Sequence, residues 1–150
     1  MDAHKIKTIV IAGAGKLGME LVNILADGDL QIQWLIRTNG QQVIEKWKKK
    51  RVRRYKTLHE DITKGERIIQ SVRLIEYASE IKNADFIIEA ITEKYEIKEN
   101  FYNSLSIEEN PNVILSTTSS SFLPDQFSAY QRFNGRFVGL HFFYPISLLP

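Results

Sequence analysis

The sequence has no cysteine among its 150 residues, which excludes disulfides and thiolate metal sites and leaves the redox compartment undetermined. Long hydrophobic runs are absent too. The longest apolar stretches fall far short of the roughly 20 residues that span a bilayer, and the opening MDAHKIK leads straight into a strand-like run and does not read as a signal peptide. No charge of one sign dominates. Twenty Lys and Arg against 18 Asp and Glu give a net charge of +2, too small to make nucleic acid the expected partner. The expectation is a soluble, cytoplasmic protein without a membrane partner. At 43% hydrophobic and 25% charged, the chain fits one globular domain with its own core.

Short β-branched runs alternate with amphipathic stretches, the sequence signature of βαβ units in a parallel sheet. Strands are expected at TIVIA (8–12), QIQWLIR (31–37), SVRLI (71–75), DFIIEA (85–90), NVILST (112–117) and RFVGLHF (136–142). Leu17, Leu21, Ile24 and Leu25 recur at helical spacing, and Asp27-Gly28-Asp29 ends that helix. Thr38 or Asn39 is expected to cap a second helix running through Ile44, Trp47, Val52 and Tyr55, with Lys64-Gly65 as a break. Ile97, Phe101 and Leu105 mark one face of a later helix, stopped by Asn110-Pro111. No repeat, low-complexity tract or interdomain linker is visible.

IVIAGAGKLGMEL places Gly13, Gly15 and Gly18 in G-x-G-x-x-G spacing between a strand and a helix. In that context the first glycine permits a tight turn, the second lets the backbone approach a pyrophosphate, and the third lets the helix pack closely. Lys16 and Leu17 lie within the turn, at the helix N-terminus whose amides face the phosphates. The fold class expected is α/β: a Rossmann-type, doubly wound, mostly parallel sheet of about six strands with helices on both faces. A dinucleotide site that takes NAD usually ends its second strand with an acid. Here WLIRTN puts Arg37 there, with Thr38 and Asn39 following. A guanidinium pairs with a 2′-phosphate, so NADP is favoured slightly over NAD; the other reading makes Arg37 an ordinary strand end.

Three later segments, ADFIIEAITEKYEIK (84–98), VILSTTSSSF (113–122) and GLHFFYP (139–145), together with the glycine turn, resemble the N-terminal NAD-binding domain of the L-3-hydroxyacyl-CoA dehydrogenase family. The likeness runs across nearly the whole chain. It implies oxidation of a 3-hydroxyacyl-CoA to the 3-ketoacyl-CoA of fatty acid metabolism, with hydride passed to NAD or NADP. It also implies that His141 is the general base and that Ser120 hydrogen-bonds the reacting oxygen. Ala90, through its backbone, Glu93, and Lys98, through its ammonium, match positions lining the cofactor site. Taken without the resemblance, His141 reads as a strand-end or core histidine and the serine run as a turn; His4 and His59 read as surface.

The chain departs from the family pattern in three ways. Tyr144 stands where the family has the asparagine of HFFNP, and Thr118 where it has the asparagine of an NTSS-like loop. The glutamate that orients the family's histidine would fall after Pro150, as would the helical domain that closes over the acyl chain and forms a homodimer. The expectation is therefore a single dinucleotide-binding domain over 1–150, a cofactor half weakly active or inactive alone. A dehydrogenase of a non-CoA 3-hydroxy acid and a non-catalytic dinucleotide-sensing module remain open. KWKKKRVRRYK (46–56) interleaves Trp47 and Tyr55 with basic residues. It reads first as a solvated helix face, next as a contact for CoA phosphates, and last as a nucleic-acid surface.

Overall fold

The computed structural model describes residues 5–57, 62–106, 108–143 and 145–146. His4, His59, Tyr144 and Pro150 lie outside them. The described elements run β1 (Thr8–Ala12), α1 (Lys16–Leu25), β2 (Gln31–Leu35), α2 (Gly40–Thr57), α3 (Ile62–Gln70), β3 (Val72–Ile75), β4 (Phe86–Glu89), α4 (Tyr95–Asn103), β5 (Ile114–Thr117) and β6 (Phe137–Gly139). The strands form one sheet in the order β3-β2-β1-β4-β5-β6, with every pair parallel. The Rossmann-type expectation is met, and each expected strand is present, trimmed at its ends everywhere except in β1.

Because successive side chains of a strand point to opposite faces, β1 serves two cores at once. Ile9 and Ile11 pack with Leu21, Val22, Ile44, Trp47 and Ile68 under α1, α2 and α3. Val10 and Ala12 pack on the other face with Ile87, Leu115, Phe101, Tyr102 and Phe133. Val10 and Ile11 have no solvent exposure, and burial of each such side chain contributes about 1.5–3 kcal/mol. A strand covered on both faces must be apolar on both, which is why residues 9–12 read as a continuous run.

Three expectations need correction. Gly65 breaks no helix; it lies inside α3, where a Cβ would come within 2.8 Å of the Tyr55 ring, so its missing side chain lets α3 settle on α2. Val52 is 37% exposed. The inward place beside it belongs to Arg51, which is 4% exposed, ion-paired with Asp27 and hydrogen-bonded to the Asn23 carbonyl. The later helix ends at Asn103, well short of Asn110, because the Ser104 amide and hydroxyl close its last turn on the Asn100 and Phe101 carbonyls. Asn110 acts elsewhere, its buried carboxamide accepting from the Ala84 amide and donating to the Ile81 carbonyl. At the start of α2, the Asn39 carbonyl accepts the Val43 amide while Asn39 itself adopts φ 55°.

Among the described residues no helix is long and apolar enough to cross a membrane. On α2, Lys46, Lys49, Lys50, Arg53, Arg54 and Lys56 are exposed. Trp47 and Tyr55 are buried to 4% and 5% exposure, so the interleaved aromatics are core residues and offer no stacking surface to a base.

Candidate dinucleotide site

With all strands parallel, every strand's C-terminal end lies along one edge of the sheet. The chain leaves β1 and β4 in opposite directions, which opens a crevice between them at that edge. Gly13 sits at the head of the crevice with φ 115°, and a Cβ there would meet the Ala90 carbonyl oxygen at 2.3 Å. Gly18 is as constrained, its absent Cβ falling 2.3 Å from the Gly13 oxygen. Gly15 differs, because a Cβ there would meet nothing within 4 Å. The first and third glycines are thus required by the protein's own packing. The second faces open space at the N-terminus of α1, where Lys16 is exposed and no acid occupies the first turn. That arrangement fits a dinucleotide pyrophosphate, whose charge the first-turn amides complement.

The crevice is a cleft of about 920 Å³ lined by Gly13, Gly15, Arg37, Thr38 and Ala90 of the expected residues. Glu76, Tyr77, Ile97, Asn100 and Phe101 line it as well. In the sequence, Ile97 and Phe101 carry only a packing signal, and Glu76, Tyr77 and Asn100 carry none. Arg37 and Thr38 are exposed at the end of β2. Glu76 directly follows β3, whose last residue Ile75 pairs with Leu35, so a carboxylate lies just past the end of the strand neighbouring the one that leads to Arg37. A smaller cavity of about 430 Å³, lined by Asp27, Gly28, Lys64 and Arg67 among others, lies away from the glycine turn and has mixed charge.

Glu93 and Lys98 do not line the cleft. Lys98 is fully buried; its Nζ donates to both Glu89 oxygens at 2.6 and 2.8 Å and pairs with Glu93 Oε2 at 3.1 Å. Glu89, buried at the end of β4, also accepts the Ile91 amide at 2.8 Å and the hydroxyls of Tyr102 at 2.5 Å and Thr117 at 2.8 Å. Burial, reinforced by the Glu89 charge and hydrogen bond, raises the Tyr102 pKa far above its ordinary value. Desolvation pushes Glu93 upward, but the Ser119 hydroxyl and Lys98 outweigh it and hold the carboxyl below its ordinary range. Ser119 in turn accepts the amides of Ser121 and Phe122. A chain of hydrogen bonds thus runs from the buried pair, through Glu93, into the loop that carries Ser120. The signal for this network was an acid ending an apolar strand nine residues before a lysine, with both facing the core.

Ser120 and His141 follow β5 and β6, which are neighbours in the sheet, and the Leu140 amide donates to the Thr117 carbonyl at 2.8 Å. Both side chains are exposed. The His141 ring makes no hydrogen bond among the described residues and meets Phe143 edge-on, with centroids 5.4 Å apart. It is therefore not a core histidine. Phe142 and Ile146 pack on the α1 side of the sheet, and the Ile146 amide donates to Glu20 of α1. Phe143 is 72% exposed beside it, and Val138 on β6 is 39% exposed.

Residues 8–150 match the family model of the 3-hydroxyacyl-CoA dehydrogenase NAD-binding domain. The chain belongs to that family. Its NAD-binding domain is 26% identical over 157 residues to a probable 3-hydroxyacyl-CoA dehydrogenase of Caenorhabditis elegans, covering 97% of this chain and 50% of the relative. It is 33% identical over 70 residues to an L-carnitine dehydrogenase of Pseudomonas putida, covering 47% of this chain and 22% of that protein. The domain superposes on the crystal structure of 3-hydroxybutyryl-CoA dehydrogenase from Escherichia coli K12 with a TM-score of 0.76 at 19% identity, over 97% of this chain and 31% of the other. The chain spans about half the length of the C. elegans relative, whose match runs through the whole domain.

Proposed function

We propose that this NAD-binding domain is the cofactor half of a dehydrogenase that interconverts a 3-hydroxyacyl-CoA and its 3-ketoacyl-CoA. The observation that carries the reading is the placement of His141 and Ser120, exposed on adjacent strand ends along the same sheet edge as the glycine cleft. A bound nicotinamide supplies the hydride acceptor or donor. His141 takes the hydroxyl proton in oxidation and returns it in reduction, a task suited to an imidazole because it can both accept and donate a proton. Ser120 hydrogen-bonds the reacting oxygen, and the Glu93–Ser119 contact holds its loop.

Arg37 and Thr38 are read as hydrogen-bond donors to a 2′-phosphate, which favours NADPH over NADH. The carboxylate of Glu76 in the same cleft works against a phosphate, so the preference is small. The exposed lysines and arginines of α2 are suited to CoA phosphates.

The test is reduction of acetoacetyl-CoA by the chain supplied with the helical domain of a relative. His141→Gln should lower turnover by about 10²- to 10⁴-fold without changing the Kd for the dinucleotide. Unchanged turnover in that variant would end the assignment. A non-CoA 3-hydroxy acid is the second reading, supported by the likeness to the L-carnitine dehydrogenase. It predicts turnover of free 3-hydroxy acids and none of the CoA ester.

A further inference from the structure

The net charge of +2 hides a local asymmetry. Residues 46–56 of α2 hold eight of the chain's 20 Lys and Arg and no acid, leaving 12 against 18 acids elsewhere. Arg51 is drawn inward to Asp27, and Lys48 is partly buried. The exposed six, Lys46, Lys49, Lys50, Arg53, Arg54 and Lys56, make no ion pair and no side-chain hydrogen bond among the described residues. Glu45, the one acid of α2, accepts from Gln41 instead. Cations four positions apart therefore repel, as in Lys46–Lys50, Lys49–Arg53 and Lys50–Arg54, where a merely solvated helix face interleaves acids.

The buried residues Gly40, Ile44, Trp47, Arg51 and Tyr55 fall within an arc of about 80° around the helix, and the six cations within about 160° on the opposite side. α2 thus rests on the domain along a narrow stripe, and its basic side stands clear over about 15 Å. A flat anionic surface meets only the crest of such a helix, whereas a groove with anionic walls meets both flanks at once. The major groove of B-form DNA has that shape, about 12 Å wide against about 10–12 Å for a helix with its side chains. The corresponding groove of duplex RNA is too narrow to admit it. A single strand needs exposed aromatics on which its bases stack, and Trp47 and Tyr55 are in the core. Of the large apolar side chains of α2 only Val52 is exposed, which leaves little to enter a bilayer.

We propose that the outer face of α2 binds the phosphate backbone of duplex DNA without regard to sequence. Contacts from Lys and Arg to phosphate fix position and carry no sequence information. The acids elsewhere on the domain repel the duplex and so present α2 to it. None of the six cations lines the dinucleotide cleft, so the surface is separate from it and the inference does not depend on the dehydrogenase reading. The few phosphates of a CoA engage only part of the row; a duplex offers phosphates on both sides of the helix along its whole length.

The experiment is fluorescence anisotropy of a labelled, random-sequence duplex of about 20 base pairs titrated with the full chain. Kd should rise by about 10²- to 10³-fold between about 50 and 200 mM salt, the slope of about five neutralised phosphates, and should be the same for duplexes of different sequence. Lys50→Gln should lower the slope by about one phosphate, and Lys49→Glu combined with Arg53→Glu should abolish binding. Lys82→Gln, which removes an exposed cation outside α2, should change neither. The α2 variants relieve repulsion within the helix, so they fold, and far-UV circular dichroism verifies it. Saturating duplex should raise the Tm of the wild type and leave that of the double variant unchanged. Absence of duplex binding by the wild type at about 50 mM salt, or equal binding by the double variant, would overturn the proposal. So would tighter binding of a single strand of the same length, or binding of phosphatidylserine vesicles with none of the duplex.

Discussion

The indole Nε1 of Trp34 donates to the carbonyl oxygen of Gly13 at 2.9 Å, while the Gly13 amide donates to the Leu35 carbonyl at 3.0 Å. The fully buried tryptophan of β2 therefore fixes the orientation of the first glycine of the β1–α1 turn. Trp34→Phe keeps most of the packing and removes the donor. It should cost about 1–2 kcal/mol in urea unfolding and weaken NADH binding, because the freed carbonyl is partly buried and the turn loses its clamp.

The glycines separate folding from binding. Gly13→Ala puts a Cβ against the Ala90 carbonyl at a φ that side chains rarely adopt, and should yield little folded protein. Gly15→Ala meets no neighbour and should fold normally, yet lose dinucleotide affinity as the methyl enters the space left for the pyrophosphate. Thermal melts and titrations on the two variants check the contrast; a normally folded Gly13→Ala would contradict it.

Lys98→Met removes the cation from the buried pair and leaves Glu89 with only neutral donors. The expected loss is about 3 kcal/mol, on the order of 10 °C in Tm. Glu89→Gln combined with Lys98→Met should recover part of it, because no uncompensated charge is then buried. Differential scanning calorimetry of the single and double variants reads both effects.

Much of this was legible before any coordinates. Residues 9–12 stand out because a strand buried on both faces is apolar on both, and the glycines because their G-x-G-x-x-G spacing falls between a strand and a helix. What was not legible depends on partners far apart in sequence. Gly65 reads as a breaker until Tyr55 fills its missing side chain. Arg51 reads as one more surface charge until Asp27, a helix away, draws it inward. Tyr77 and Asn100 carry no local signal at all, since only the crossover from β3 to β4 brings them to one cleft.

The depressed pKa of Glu93 sets an acid limit. A carboxyl held lower in the folded than in the unfolded chain contributes stability that is fully present above the unfolded value, about 4.3, and lost as pH falls through the folded one. The Ser119 and Lys98 contacts should therefore support stability unchanged from neutrality to about pH 4.3 and weaken below it. Glu93→Gln should flatten that acid limb in urea midpoints measured against pH. An unaltered limb would show that the contact contributes nothing.

The most direct test of the whole account is titration of the chain with NADPH and, separately, NADH, for wild type and Arg37→Asp. The account predicts that the wild type binds both, NADPH more tightly, and that Arg37→Asp reverses the order. Absence of binding by either cofactor would contradict a working dinucleotide cleft, and an order unaltered by Arg37→Asp would contradict the part given to Arg37.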